Sequence, residues 1–433
     1  MSLLIQNATI ITMIKEEMPF QGDIFIENEE IVAISRGSYK PIPLHTTLID
    51  ATGMIALPGL INTHQHSPMS LFRSYNDDLR LMDWLRQKIL PAEARMTEED
   101  IYYGSLLGIA EMIRSGTTTF ADMYIHMDQV AAAASLSGIR ASLTRGLVFN
   151  NDLQSEKRLQ EGLELIHHWS GKADGRITTM LGPHAPYTCD PTSLKRVMQY
   201  ATDLDVAIHI HLAETLEESE WMQHRYKRSS TQYLHQLGML DGTHHLLLAH
   251  CVHVNENEIP LLTKIKGGIA HNPMSNLKLG CGFAPITHFR EQHITVALGT
   301  DGAGSASSLD LFKEMKIAAG LQKAQASDPL AVSAFDILSM ATVNGARVLG
   351  LEHQIGKLET GKKADLILIN LNQPHLTPQH DLYSLLAYAA TGADVDTSIV
   401  NGQILMRGRK LQTIDEEGLL QEVQERAQRL VTI

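Results

Sequence analysis

The feature that most restricts the fold is a series of short apolar segments, most of which run out into histidine, acid or glycine. IALPGLINTHQH, TTTFADMY, RASLTRGL, ITTMLGPHAPY, AIHIHLAE, HLLLAHCVH, GGIAHNPMSN and TVALGTDGAG follow one another through the middle of the chain. Each reads as a strand. Helical patterns lie between several of them. Thr97 to Arg114 opens with a cap-like Thr97 and has Asp100 three residues on, with Gly116 just past its end. SLKRVMQYATDLD and SLDLFKEMKIAAGL behave similarly. Eight strands with intervening helices predict a (β/α)8 TIM barrel. An open doubly wound sheet would give the same local pattern. The strand count and the polar residues at the strand ends favour the barrel.

The two ends of the chain have a different texture. IQNATIITM and DIFIENEEIVAIS alternate between apolar and polar residues, and ADLILINL and TSIVNGQILMRG repeat that pattern after the turn-rich GKLETGKKAD. Two unrelated tails would leave unpaired strand edges, so both termini are expected to build one small β-sandwich. The expected organisation is residues 1–54 for the N-terminal part of the sandwich, 55–355 for the barrel, and 356–433 for the C-terminal part. SAFDILSMATVNGARVLG reads as one further helix closing the barrel, and residues 415–430 as a terminal helix.

Charge and cysteine usage exclude several classes. The net charge of −13 leaves no Lys/Arg surplus for a phosphate-binding surface, which argues against a nucleic-acid partner. Cys189, Cys251 and Cys281 are far apart and odd in number. They form neither a disulfide framework nor a C-x-x-C clamp, and a reducing, cytoplasmic setting is expected. MSLLIQNATIITMIKEE reads as a strand rather than a signal peptide, and no apolar run reaches membrane-spanning length.

Chemistry-bearing residues fall where the strands run out, the face on which such barrels carry their sites. The first strand ends in His64-Gln65-His66. Positions i and i+2 of a strand point the same way, so both imidazoles can reach one ion. With 21 histidines in the chain, such a pair carries little weight alone. The fifth strand ends His209-Ile210-His211-Leu212-Ala213-Glu214. His211 supplies a third nitrogen, Glu214 lies just beyond, and His209 reads as an interior histidine before a ligand. The sixth ends in His250 and the eighth in Asp301, which taken singly would be a helix cap or turn aspartate. Together His64, His66, His211 and Asp301 make a near-complete N3O set with room for water. No lysine occurs between Ala173 and Leu194 to bridge a second ion, so one divalent cation per chain is expected. Zinc suits the set best, with iron or manganese as alternatives. Such a cation would generate hydroxide near neutral pH. Asp301 would take the water proton, Glu214 would protonate a ring nitrogen of an electron-poor heterocycle, and His250 would stabilise the developing charge.

The segments PGLINTHQHSPMSLFR, LGPHAPYTC, HIHLAET, LLAHCVH, HNPMSNLKLG and LGTDGAGSASSLDLF resemble those of the 5-methylthioadenosine/S-adenosylhomocysteine deaminases of the amidohydrolase superfamily. The resemblance runs over essentially the whole length. It implies His64, His66, His211 and Asp301 as metal ligands, Glu214 as acid/base and His250 as the strand-six histidine. In DWLRQKILPAEARMTEED it implies Trp84 facing a nucleoside and Glu93 accepting from ribose hydroxyls. His184 matches a substrate-contacting histidine. Arg145 and Arg158 match arginines near an amino-acid tail, the latter in RLQEGL, read as a loop. The implied reaction is hydrolytic deamination of an adenine ring in a small nucleoside, by a homo-oligomer. A triazine or other heteroaromatic hydrolase on the same barrel is the alternative, because several motifs are shared with that wider group.

Overall fold

The computed structural model describes residues 2–75, 77–149 and 153–432. Five strands open the chain: β1 (Ser2–Ile10), β2 (Phe20–Glu27), β3 (Glu30–Arg36), β4 (Thr47–Asp50) and β5 (Met54–Pro58). Eight follow: β6 (Leu60–Gln65), β7 (Thr117–Tyr124), β8 (Arg140–Leu147), β9 (Ile177–Pro183), β10 (Ala207–Leu212), β11 (His245–His250), β12 (Lys266–His271) and β13 (Val296–Leu298). Four close the series: β14 (Leu366–Asn370), β15 (Val395–Val400), β16 (Gln403–Arg407) and β17 (Lys410–Leu411).

The middle eight form one parallel sheet in chain order, β6 to β13. Each overlaps one of the eight apolar segments picked out in the sequence, but IALPGLINTHQH, expected to be one strand opening the barrel at residue 55, is split at Gly59, and its first half is β5 of the terminal sheet. Helices cross between neighbouring strands, as parallel pairing requires. The helix Glu98–Arg114 starts where its capping box predicts: Thr97 Oγ1 accepts from the Asp100 amide at 3.3 Å, and Asp100 Oδ2 accepts from the Thr97 amide at 2.7 Å.

The edges of this sheet meet through a few hydrogen bonds, most of them involving side chains. Thr63 Oγ1 donates to the Leu298 carbonyl at 2.9 Å, and the Asp301 amide donates to the His64 carbonyl at 2.9 Å. Asn62 and Thr300 bond reciprocally, Nδ2 to Oγ1 at 2.8 Å and Oδ1 from the Thr300 amide at 3.0 Å. The first and eighth strands are thereby held side by side, closing the barrel.

The strands of both termini share a nine-stranded mixed sheet, in the order β17-β16-β15-β14-β5-β1-β2-β3 with β4 on β1. Antiparallel pairing of β5 with β14 joins the two ends of the chain. Leu3, Ile5, Ile24, Ile26, Leu366, Leu368 and Ile399 share one buried cluster, so the sheet wraps its own apolar face. β5 passes through Gly59 directly into β6, and a Cβ at Gly59 would lie 2.0 Å from Thr118 Oγ1, so only glycine fits there.

The segment read as one helix near residue 340 is two, Ala334–Met340 and Val343–Val348. Thr342 between them has φ −134° and ψ −92°. The break leaves the Ala341 carbonyl free to accept the Ile61 amide at 2.8 Å, so the helix yields to the first barrel strand. The terminal helix runs Glu416–Val431 from an Asp415 cap, and Arg426 and Arg429 bind the buried Asp100 carboxylate. Among the described residues no helix is long and apolar enough to cross a membrane.

One buried ion pair ties the two sheets. Arg140 on β8 donates to Asp365 through Nε at 2.8 Å and through a terminal nitrogen at 3.0 Å, and both side chains are 2% exposed. Removing one partner strands the other charge in the interior. Asp365→Ala is expected to lower unfolding free energy by about 3–5 kcal/mol. The joint replacement Arg140→Met with Asp365→Leu should recover most of that, as read from urea midpoints.

Candidate metal centre and active site

The closure of the barrel puts His64 and His66 beside Asp301. His64 Nε2 lies 3.6 Å and His66 Nε2 3.2 Å from Asp301 Oδ1. The His64 ring centroid is 4.9 Å from that of His66, 4.8 Å from His211 and 5.3 Å from His250. Two overlapping groups have spacing that could hold an ion: His64 with His66 and Asp301, and His64 with His211 and His250.

The rings are oriented from behind. His66 Nδ1 lies 2.5 Å from the Met123 carbonyl, and His211 Nδ1 lies 2.8 Å from the His184 carbonyl. A carbonyl only accepts, so each ring holds a proton on Nδ1 and turns Nε2 to the cluster, where a cation would take the lone pair in place of any proton. His64 Nε2 is buried and has no hydrogen-bond partner. An orphaned nitrogen facing a carboxylate and two further imidazoles is a lone pair placed for a cation, and the residues fit a divalent metal.

Asp301 is held anionic. Burial pushes its carboxyl up, but the His66 hydrogen bond, the neighbouring positive charge and the Ser275 hydroxyl bring it far below the usual carboxylate range. Ser275 Oγ and Ser305 Oγ donate to Oδ2 at 2.5 and 2.9 Å, and the Gly302 amide donates to Oδ1 at 2.8 Å. Burial pulls His66 down, and the Asp301 carboxylate outweighs it and lifts the ring to about 9.

Glu214 stands on the opposite setting. Burial raises its pKa to about 7, against the pull of His250. Its Oε1 is 3.8 Å from His250 Nδ1, and that nitrogen is 2.8 Å from Asn276 Oδ1. The loop carrying Glu214 is clamped by Glu218, which accepts the Ala213 amide at 3.0 Å, the Glu214 amide at 2.9 Å and the Ser230 hydroxyl at 2.5 Å. Ala213, His250, Cys251 and Asp301 all have positive φ, from 51° to 74°. Non-glycine residues rarely adopt this conformation, and here they mark the ends of three strands.

Of the residues matched to nucleoside binding, His184 and Glu93 adjoin this cluster, and the contacts of Trp84, Arg145 and Arg158 are with other residues. His184 follows β9 with its ring centroid 4.8 Å from that of His211, and burial lowers its pKa to about 4. Glu93 is partly buried, and its carboxyl is raised by burial against a hydrogen bond with Tyr124 and the charges of His66 and Arg145. Trp84 is buried, its Nε1 3.4 Å from the Tyr75 carbonyl, and its ring lies over Gly304. Arg145 already binds an acid, Glu161, at 2.8 Å. Arg158 is not on a loop: it lies on the helix Leu153–Trp169 and donates to the Val148 carbonyl at 3.1 Å. The amphipathic spacing of the buried Leu159, Gly162, Leu165 and Ile166 carries the helix through RLQEGL.

Sequence reasoning missed Glu218, Asn276, Ser275 and Ser305. The only local signal was Thr215 followed three residues later by Glu218, which reads as an ordinary helix start.

Residues 55–405 match the family model described as Amidohydrolase family. The chain belongs to the amidohydrolase family. A protein of Desulforudis audaxviator named 5-methylthioadenosine/S-adenosylhomocysteine deaminase is 48% identical over 432 residues, covering 100% of this chain and 99% of the relative. A 5'-deoxyadenosine deaminase of Methanosarcina mazei is 45% identical, covering 99% and 98%. Among solved structures, an adenosine deaminase from Xanthomonas campestris with bound zinc gives a TM-score of 0.93 at 32% identity, covering 100% and 99%. Atrazine chlorohydrolase from Arthrobacter aurescens, complexed with zinc, gives 0.89 at 26% identity, covering 99% and 100%.

This amidohydrolase should carry about one divalent cation per chain by elemental analysis. His64→Ala or Asp301→Ala should lose it, while Arg158→Ala keeps it. Full occupancy in the Asp301 variant would contradict the ligand set.

Proposed function

We propose that this amidohydrolase deaminates the adenine ring of 5-methylthioadenosine, S-adenosylhomocysteine or adenosine, giving the inosine analogue and ammonia. The observation that carries the chemistry is the convergence of three imidazoles and an anionic Asp301 with a carboxyl, Glu214, poised near neutrality. Full-length identity of 45–49% to relatives named as deaminases of such nucleosides supports the substrate class.

His64, His66, His211 and Asp301 would hold the cation, zinc by preference, since solved relatives carry zinc. A bound divalent cation acidifies water and so supplies the nucleophile near neutral pH. Asp301, anionic and tied by three donors, takes the proton of the attacking water. Glu214 delivers a proton to the ring nitrogen beside the attacked carbon, so negative charge does not build up there. His250, braced by Asn276, hydrogen-bonds the new oxygen. A proton returned to the exocyclic amine releases ammonia. One water is consumed for each ammonia formed.

Glu93 accepts hydrogen bonds from the ribose, His184 contacts the nucleoside, and Trp84 walls the pocket. Arg145 and Arg158 would pair with the carboxylate of an amino-acid tail, a guanidinium being suited to bidentate pairing. The buried free thiols Cys189, Cys251 and Cys281 agree with a reducing compartment such as the cytoplasm.

Metal-replete protein is expected to release ammonia from at least one of the three nucleosides, with the absorbance change of adenine becoming hypoxanthine. No turnover of any of them would refute the assignment. Glu93→Ala should lower kcat/KM for nucleosides by about 10- to 100-fold, the worth of charged hydrogen bonds. A triazine hydrolase, the activity named for some 26% identical neighbours, would be nearly indifferent to that change.

Glu214→Gln removes the proton donor and leaves the ligands in place. It should cost about 10²- to 10⁴-fold in kcat with metal content unchanged. Near-wild-type kcat would remove Glu214 from the chemistry.

A further inference from the structure

His209 is a fully buried histidine that the reaction above does not use. It shares strand β10 and side-chain parity with His211, so both point into the barrel. His211 reaches the cluster. His209 sits against His64 instead: its ring stands edge-on to that ring at 5.0 Å between centroids, and its Nε2 is 2.8 Å from His64 Nδ1. Its other nitrogen, Nδ1, is buried without a hydrogen-bond partner.

The three imidazoles of the ligand set all have their Nδ1 engaged from behind. For His66 and His211 the partner is a backbone carbonyl, which fixes the ring's proton without ambiguity. For His64 the partner is another imidazole, which can either accept or donate. If His209 donated from Nε2, the proton of His64 would move to its own Nε2. That proton would face the cluster, where Asp301 Oδ1 at 3.6 Å is too far to accept it. If His209 keeps its proton on Nδ1, His64 donates from Nδ1 and its Nε2 is a bare lone pair. Backbone carbonyls of β10 are engaged by the neighbouring strands and point along the sheet. Only a side chain reaches His64 from inside the barrel.

We infer that His209 is a positioning residue that fixes the tautomer and aim of His64, accepting its Nδ1 proton so that Nε2 faces the cation. The inference rests on His64 being a metal ligand. It replaces the interior-histidine reading of His209 with a specific duty for one of its two nitrogens.

The test compares three substitutions on the full chain. The Gln amide oxygen reaches the place of the imidazole Nε2 and can accept. The Asn amide stops short of it, at the place of Nδ1. Leu fills the space and accepts nothing. Each protein is stripped, and its zinc affinity is measured by competition with a chromophoric chelator. Urea midpoints of the metal-free proteins report the fold. His209→Gln should stay within about threefold of wild type, whereas His209→Asn and His209→Leu should weaken zinc about 10- to 100-fold, the usual range for a lost partner behind a ligand. Wild-type affinity in the Asn or Leu variant, or Gln as weak as Leu, would overturn the inference. If the Leu variant does not fold, the contrast between the two amides decides alone. Wild-type protein that takes up no zinc would instead overturn the metal assignment of His64 itself.

Discussion

The closure of the barrel between its first and eighth strands is the contact on which the site depends. β6 and β13 are not joined by a ladder of backbone pairs. Asn62, Thr63 and Thr300 bridge them, and the Asp301 amide takes the His64 carbonyl. Residues more than two hundred positions apart in the chain therefore meet within hydrogen-bond range. His64 and Asp301 face each other across that seam. A shift of one strand past the other would displace the carboxylate from both imidazoles at once, because a strand rises about 3.3 Å per residue.

Around the seam several non-glycine residues take a backbone conformation that side chains disfavour. Ala213, His250 and Asp301 leave their strands through the left-handed region. Each such residue costs roughly 1–3 kcal/mol and persists only when its surroundings over-determine it. The surroundings do so: Glu218 clamps both amides after β10, Asn276 holds His250, and two serines and an amide hold Asp301. The barrel supplies strand ends, and these clamps turn strand ends into aimed side chains.

This division explains what the sequence made legible. Strand positions followed from apolar runs, because buried parallel strands need little else. Histidine parity within a strand followed from the two-residue repeat, which is why His64 and His66, and His209 with His211, could be paired before any coordinates. The ends of the chain read as strands for the same reason, and their sharing one unit followed from the edges each would otherwise expose, whereas the pairing of β5 with β14 that joins them did not. The clamps were not legible. Glu218, Ser275, Ser305 and Asn276 carry no local pattern that separates them from capping or turn residues, since their partners come from folding rather than from neighbours in sequence. The same holds for the break at Thr342, decided by a carbonyl that β6 needs. Arg158 was misplaced on a loop because polar residues on a helix face resemble a loop when the apolar stripe is short.

The electrostatic consequence is a pair of carboxyl groups driven apart. Both Asp301 and Glu214 are buried, and burial pushes each upward. Asp301 receives two hydroxyls, an amide and the field of His66, which outweigh burial and keep it charged. Glu214 has the His250 ring at 3.8 Å and the like charges of Asp301 and Glu218, and settles at about 7. Two acids of similar intrinsic strength thus titrate far apart around one cluster of imidazoles. That separation suits the proposed reaction, in which one carboxylate would take a proton from water and one carboxyl would give a proton to the ring. The hydrogen-bond donors on Asp301 and the burial and neighbouring acids of Glu214 produce it, with a carboxyl group in both places.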